Sequence, residues 1–498
     1  MKNARIVSLL LLAASLSSAL LSCGGTDNTP TADAGTQAVT AAQTEAVTEA
    51  PDALDLRMQE DDGLEDRDFG GADFHILGVD YNKDFYSVES ETGDIMDDTV
   101  FRRNTVVMDR FNVNITVDVM EYSAQVSQLK RSVTAGDDAV QLFVGHVVSA
   151  GQAVLNNVFL NWYDIPNIDF SRPWWSPSNI EDLTYDGKTF LAVGDFALGA
   201  LNNTYCVYFN KQVANDYDLP DIYSIVNDGK WTLDRMTELS REVYRDMNGD
   251  GTSDENDLHG FTIFVGSPVN AFLWSFGEKI AKKQADGTMA LDYYNDRVVD
   301  IYQKMYDLLW VGNTTYAVGS NVSGFDTIVR TKFIEGKALF MADGFCIATD
   351  KLRDSDTEYG IIPMPKLDEA QDGYYTMVDG CHDILGVPVT VGDVEMVGTI
   401  TEALNAESYK RTVPVFYDIV LKTKGSRDEE SVAIIDMICD GRIFDFGYVY
   451  GGWGAAFWMQ DRMNAKNADI SSYYEKKHKS VDKYMDKVFT YFEEYTAE

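Results

Sequence analysis

The chain has 498 residues, 45% of them hydrophobic and 12% aromatic, enough to bury two sizeable cores. Its 80 acidic residues against 41 basic ones leave a formal net charge of -39. A surface of this sign repels phosphate backbones and no basic run interrupts it, which argues against a nucleic-acid partner.

Lys2 and Arg5 precede an apolar run from Ile6 to Leu21, and Leu20-Leu21-Ser22 leads into Cys23. The run is too short and wrongly flanked for a lasting membrane span, so residues 1–22 read as a secretory signal. The four residues ending at Cys23 resemble a bacterial lipobox, which implies cleavage before Cys23 and lipid on its sulfur. From 23 to 70 the chain is rich in Thr, Ala, Asp, Glu and Pro. It cannot bury enough surface to fold and reads as a disordered tether. The remaining cysteines, Cys206, Cys346, Cys381 and Cys439, fit no zinc spacing and read as buried free thiols, with disulfides as the alternative.

From residue 71 onward strands and helices alternate. "ADFHILGV" is a short apolar strand, and "FRRNTVVMDRF" has helical spacing. In "NVNITVDVM" the residues Val113, Ile115, Val117 and Val119 point one way. A helix from about Tyr122 ends near Gly136, and "AVQLFVG" is a third strand. "CVYFNK" is a strand entering a helix. Leu233, Met236, Leu239 and Val243 make one helical stripe, and Val298, Ile301, Met305 and Leu308 another. "FIEGKALFMADG" is a helix end, turn and strand, while "YGIIPMP" and "DILGVPVT" are further strands. The order predicts an α/β protein with parallel sheets.

Between those elements lies "RDMNGDGTSDENDLHG". Asp246, Asn248 and Asp250 stand at positions one, three and five of a twelve-residue calcium loop. Gly251 fits the turn at six, Thr252 offers its carbonyl at seven, Asp254 stands at nine and Asp257 at twelve. An EF-hand usually has Glu at twelve, and Asp there resembles the dockerin version. The following "GFTIF" reads as strand, so this is a lone loop. It is either a structural calcium staple or a plain acidic turn.

Three segments together carry a resemblance to a known family. They are "TYCVYFNKQVANDYDLPDIYSIVNDGKWTLDRMTEL", "KFIEGKALFMADGF" and "YGIIPMPK". In this order, behind a lipobox and tether, they resemble the extracellular sugar-binding solute-binding proteins of bacterial ABC importers, of the maltose and oligosaccharide type. "RPWWSPSNIEDLTYDGKTFLAVGD" looks like a variant from Gram-positive members.

The resemblance implies a type II periplasmic-binding-protein fold, in which two α/β lobes are joined by hinge strands and a ligand cleft lies between them. One lobe is expected over 71–203 plus about 373–440, the other over 204–372 plus about 441–498. It further implies a monomer that captures a soluble carbohydrate outside the cell, held at the membrane by lipid. Delivery is to the importer's permease subunits, and no cofactor is required.

A sugar site needs aromatic platforms and polar forks. Position in the family pattern nominates Trp453, Phe345, Trp274, His146, Asn202, Asn203 and Asp343. The plain alternatives are core packing for the aromatics, a cap for His146 and a hinge turn for the two Asn. The five His show no metal-ligand spacing, and no Gly-x-Ser-x-Gly elbow or phosphate loop occurs, so no catalytic residue is nominated. A lipid-anchored glycan hydrolase or an adhesive surface protein stands as the alternative.

Overall fold

Two mixed β-sheets organise the computed structural model, which describes residues 53–353, 355–421 and 429–496. The signal segment and Cys23 lie outside the described residues. In the first sheet Ala72–Val79 is central. It pairs in parallel with Val113–Met120, from Ala72 opposite Val113 to Val79 opposite Met120, and in parallel with Leu142–His146. Asp383–Gly386 closes that sheet antiparallel to Leu142–His146. The second sheet runs Tyr359–Ile362, Tyr205–Asn210, Ala338–Gly344, His259–Val265, Thr315–Gly319. Its first two pairings are antiparallel and its last two parallel.

A parallel sheet was expected in the α/β lobe, and the parallel pairs are there, but each sheet also carries antiparallel strands. Tyr205–Asn210 and Asp383–Gly386 enter directly from the segments that pass between the sheets. They do not arrive through a strand–helix–strand crossover, so nothing forces them parallel.

The helices follow their apolar stripes. Leu233–Val243 buries Leu233, Met236, Leu239 and Val243, and Asp296–Trp310 buries Val298, Ile301, Met305 and Leu308. Caps set their ends. The Asp94 carboxylate accepts from the Met96 and Asp97 amides at the start of Ile95–Phe111. Gly136 adopts φ 68° just past Tyr122–Ala135, a left-handed turn that costs glycine nothing.

The expected tether is shorter than 23–70. Arg110 pairs with Asp62 at 2.5 Å and Asp66 at 2.8 Å, and Phe69 packs on Phe111. Residues from about 60 are therefore part of the folded body. All four described cysteines are free thiols, but only Cys206 is buried; Cys346 and Cys439 are half-buried and Cys381 is exposed, a turn position just past the crossing rather than a core one.

Three segments pass between the sheets. Asn203 and Thr204 bond to 378–379, with Thr204 bridging Val378 and the Asp379 amide donating to the Asn203 carbonyl. Thr376–Met377 pairs in parallel with Arg442–Ile443. Asp383, which follows one crossing, pairs with His146, and Tyr205, which follows another, pairs with Gly344.

One core of the first sheet holds a buried acid. Trp174 and Trp175 donate their indole N–H groups to Glu402 at 2.8 and 2.9 Å. Burial outweighs those two bonds and pushes the Glu402 carboxyl up to about 7 from an ordinary 4.5. The folded state thus holds a proton that the unfolded chain releases between those values. Stability from this group is complete below about pH 4.5 and lost as pH rises through about 7. The melting temperature is expected to fall over that window, and Glu402→Gln to flatten the fall, as read by calorimetry across pH.

Candidate functional site

His146 ends the strand Leu142–His146 and caps the helix Val147–Val154, its Nδ1 accepting from the Ser149 amide at 3.4 Å. Tyr122 stacks on its imidazole at 4.9 Å, and Trp453 lies 6.3 Å away. Burial lowers the His146 pKa, partly opposed by Asp379 and Glu121, which keeps the ring neutral at ordinary pH. Trp453 in turn rests on Phe457 at 4.7 Å.

Asp379 sits in the middle of the crossings. Its carboxylate accepts from the Tyr205 hydroxyl at 2.8 Å and from the Cys381 amide at 2.9 Å. Tyr81, just past the carboxyl end of Ala72–Val79, is 45% exposed. Surrounding protein nevertheless raises its hydroxyl pKa strongly, with Cys381, Asp383 and Asp379 adding to burial.

The second sheet contributes Asp343, near the end of Ala338–Gly344. Arg330, from the helix Phe325–Ile334, donates to Asp343 at 2.9 Å and to Asp326 at 2.8 Å. Burial raises the Asp343 pKa, and Arg330 opposes it. Phe264 flanks this pair, 6.0 Å from the guanidinium and 5.1 Å from Phe325.

The sequence-nominated residues divide. His146, Trp453 and Asp343 lie along the strand ends and crossings; Trp453 is 62% exposed, whereas the His146 and Asp343 side chains are buried. Trp274 and Phe345 are each 1% exposed. Trp274 donates to Asp445 at 2.8 Å and packs edge-on to Tyr448, so its ring has no surface to offer a ligand. Phe345 donates its amide to the Thr204 carbonyl and is equally enclosed. Asn203 bonds the Gly199 carbonyl at 2.8 Å, and Asn202 accepts from Thr349 at 3.2 Å, so both serve the crossing itself. Tyr81, Tyr122, Arg330 and Asp379 were not nominated. Tyr81 and Tyr122 follow directly on strands of the first sheet, where ligands of open α/β sheets gather.

The acidic loop is held by its own backbone. Asp246 accepts from the Gly249 and Gly251 amides, Asn248 from Asp250, and Asp250 from Thr252. Gly249 and Gly251 take φ 73° and 76°, as such a turn requires. Asp257 is fully buried and accepts from Met247 at 3.0 Å and from the Asp254 amide at 3.3 Å. Lys332 braces the loop from below, donating to the Asp257 and Glu255 carbonyls at 2.7 and 3.1 Å. Among the described residues no group of three or more His, Cys, Asp or Glu is arranged to hold a metal ion.

No family model and no curated protein matches the sequence. Solved structures do. An ABC substrate-binding protein of Listeria monocytogenes, in complex with cycloalternan, superposes with a TM-score of 0.55 at 11% identity. The match covers 84% of this chain and 99% of that one. The cyclic alpha-maltosyl-1,6-maltose binding protein of Arthrobacter globiformis gives 0.54 at 14%, covering 85% and 99%. UgpB of Mycobacterium tuberculosis, in complex with glycerophosphocholine, gives 0.56 at 14%, covering 84% and 99%. The two sheets, their crossings and these superpositions establish that the chain has the two-lobed α/β fold of ABC transporter solute-binding proteins.

Proposed function

We propose that the protein is the solute-capturing component of an ABC importer and that it binds a carbohydrate between its lobes. Residues about 71–203 and 373–440 form one lobe in this reading, and 204–372 and 441–498 the other. The observation that carries it is the set of exposed rings, Tyr81 just past one strand and Tyr122 and Trp453 on either side of His146 at the end of another. Exposed aromatic faces suit sugar C–H surfaces, and Asp379 and Arg330 supply polar groups for hydroxyls. Ligand contacts made by both lobes exist only when the hinge is shut, so ligand shifts the population toward the closed form that permease subunits recognise. The reading includes no turnover and a monomeric state. Thermal-shift titration with a panel of neutral oligosaccharides tests it. A saturable rise in melting temperature without release of reducing ends supports it, and hydrolysis of any member overturns it.

Membrane attachment through lipid on Cys23 belongs to the same proposal. No helix among the described residues is long and apolar enough to cross a membrane. Cys23→Ser is expected to move the protein from the membrane fraction to the medium, as followed by immunoblot.

For the loop Asp246–Asp257 we propose a structural calcium ion, held by Asp246, Asn248, Asp250, Asp254, Asp257 and the Thr252 carbonyl. The loop carries Asp246, Asp250, Asp254 and Asp257 within twelve residues on a chain of net charge -39, and a divalent cation would draw them together and offset their repulsion. An unpaired loop closed by Asp suits the weak extracellular range, roughly 10⁻⁴–10⁻³ M. Calcium at about 100 times its dissociation constant is expected to add ~2.7 kcal/mol to stability. Asp250→Ala is expected to remove that response. A melting temperature indifferent to both calcium and chelator leaves the loop a plain acidic turn braced by Lys332.

A further inference from the structure

A cavity of about 430 Å³ lies between the segment 173–201 and the helices Val413–Leu421 and Glu429–Asp440, and Asp195 lines it. The Asp195 amide is fixed to the Trp174 carbonyl at 2.9 Å. Its carboxylate, in contrast, takes no hydrogen bond from any described residue. Surrounding protein pushes that carboxyl up to about 7 from an ordinary 3.8, and Arg442 and Arg57 pull the other way. Both guanidiniums therefore stand within electrostatic reach of Asp195 without pairing with it. Each is anchored elsewhere. Arg442 donates Nε to the Cys439 carbonyl at 3.0 Å, which leaves its two terminal nitrogens without an acceptor among the described residues. Arg57 lies 4.5 Å over the Tyr409 ring and donates to the Tyr409 carbonyl at 3.4 Å. A half-buried carboxylate ordinarily closes on a cation within reach, because an unpaired charge away from water is costly. Here opposite charges are held apart around an open space.

We propose that this cavity is a second ligand site, separate from the strand-end site, for a small zwitterion of the amino-acid class. The ligand's ammonium meets the Asp195 carboxylate, and its carboxylate takes the terminal nitrogens of Arg442, with Arg57 beside them. The lining selects for both signs in one molecule. An amine alone would face two guanidiniums, and an acid alone would face Asp195, Asp436 and Asp440. A neutral sugar would leave all of these groups without a counter-charge. Val413, Leu201 and Tyr417 offer apolar surface to the rest of the ligand. The volume falls within the range of ordinary small-molecule sites, and titratable groups displaced in a cavity are a mark of functional sites. None of His146, Trp453, Asp379, Asp343 and Arg330 lines the cavity, so the proposal stands independently of the carbohydrate reading.

The test is calorimetric titration of the intact protein with the common L-amino acids, each singly. Every binder is then compared with the amine and the carboxylic acid that remain when one of its two charged groups is removed. Saturable binding of at least one amino acid is expected, and either single-charge analogue is expected to bind about tenfold more weakly or worse, the loss of one charge-assisted contact. Asp195→Asn keeps the side chain's shape and gives up no existing bond, so it is expected to weaken the same amino acid by about tenfold without lowering the melting temperature. Arg57→Ala, on the short helix Ala53–Met58, is expected to weaken it in the same direction. Failure of every amino acid to bind overturns the site, as does amino-acid binding indifferent to both substitutions. Analogues that bind as tightly as the parent amino acid overturn the zwitterion assignment. Carbohydrate binding at the strand ends is tested separately and is untouched by these outcomes.

Discussion

Trp453→Ala is expected to lower carbohydrate affinity by about ten- to a hundredfold while leaving stability nearly unchanged. An aromatic anchor in a binding site is worth roughly 1–3 kcal/mol, and each 1.4 kcal/mol is a factor of ten. The ring is 62% exposed and touches Phe457 and His146 at one edge. Its removal therefore opens no cavity, and surface changes of that kind stay within about 0.5 kcal/mol. Trp453→Phe is expected to retain part of the affinity, because a smaller flat face remains. Calorimetric titration beside urea denaturation reads both quantities. Wild-type affinity in Trp453→Ala would remove this residue from the site.

Asp445→Ala is expected to have the opposite profile, a loss of about 3–5 kcal/mol of stability. The side chain is almost fully buried and accepts from four donors. Trp274 Nε1 donates at 2.8 Å, the Gly447 amide at 2.7 Å, the Ala281 amide at 3.2 Å, and the Ile280 amide also donates. Alanine leaves those donors buried without a partner, at about 1–3 kcal/mol each before relaxation. The position also links the last crossing, Arg442–Ile443, to the helix Ser267–Ser275 that carries Trp274. Asp445→Asn keeps an acceptor oxygen and is expected to cost less than alanine. A denaturation midpoint unmoved by alanine would mean that these bonds contribute nothing net.

The elements were legible wherever burial is one-sided. The stripes Leu233–Val243 and Asp296–Trp310 repeat every three to four residues because each helix buries one face. In Val113–Met120, Val113 is buried and Ile115 and Val117 half-buried, but Val119 emerges as the strand outruns its cover. Strand direction was not legible, because a period of two is the same in parallel and antiparallel ladders.

The site was only partly legible. Trp274 and Phe345 share with Trp453 the pattern of an aromatic near glycine, yet they lie in the core. What separates them is tertiary: Asp445 captures the Trp274 indole from 171 residues away. Arg330 has no local signature either, since only the packing of Phe325–Ile334 on the sheet brings it to Asp343. Tyr81 and Tyr122, by contrast, could be found from strand ends alone.

Hydrogen–deuterium exchange with and without a saturating oligosaccharide tests the central claim most directly. Binding between the lobes predicts protection at 80–82, 146–152, 343–346, 379–383 and 451–457, on both sides of the crossings, with little change elsewhere. A separate cavity of about 430 Å³ lies among residues 173–201 and the helices on either side of 422–428, lined by Asp195, Tyr417 and Arg442. Saturable binding with protection confined to that cavity, and none at the strand ends, would contradict the account.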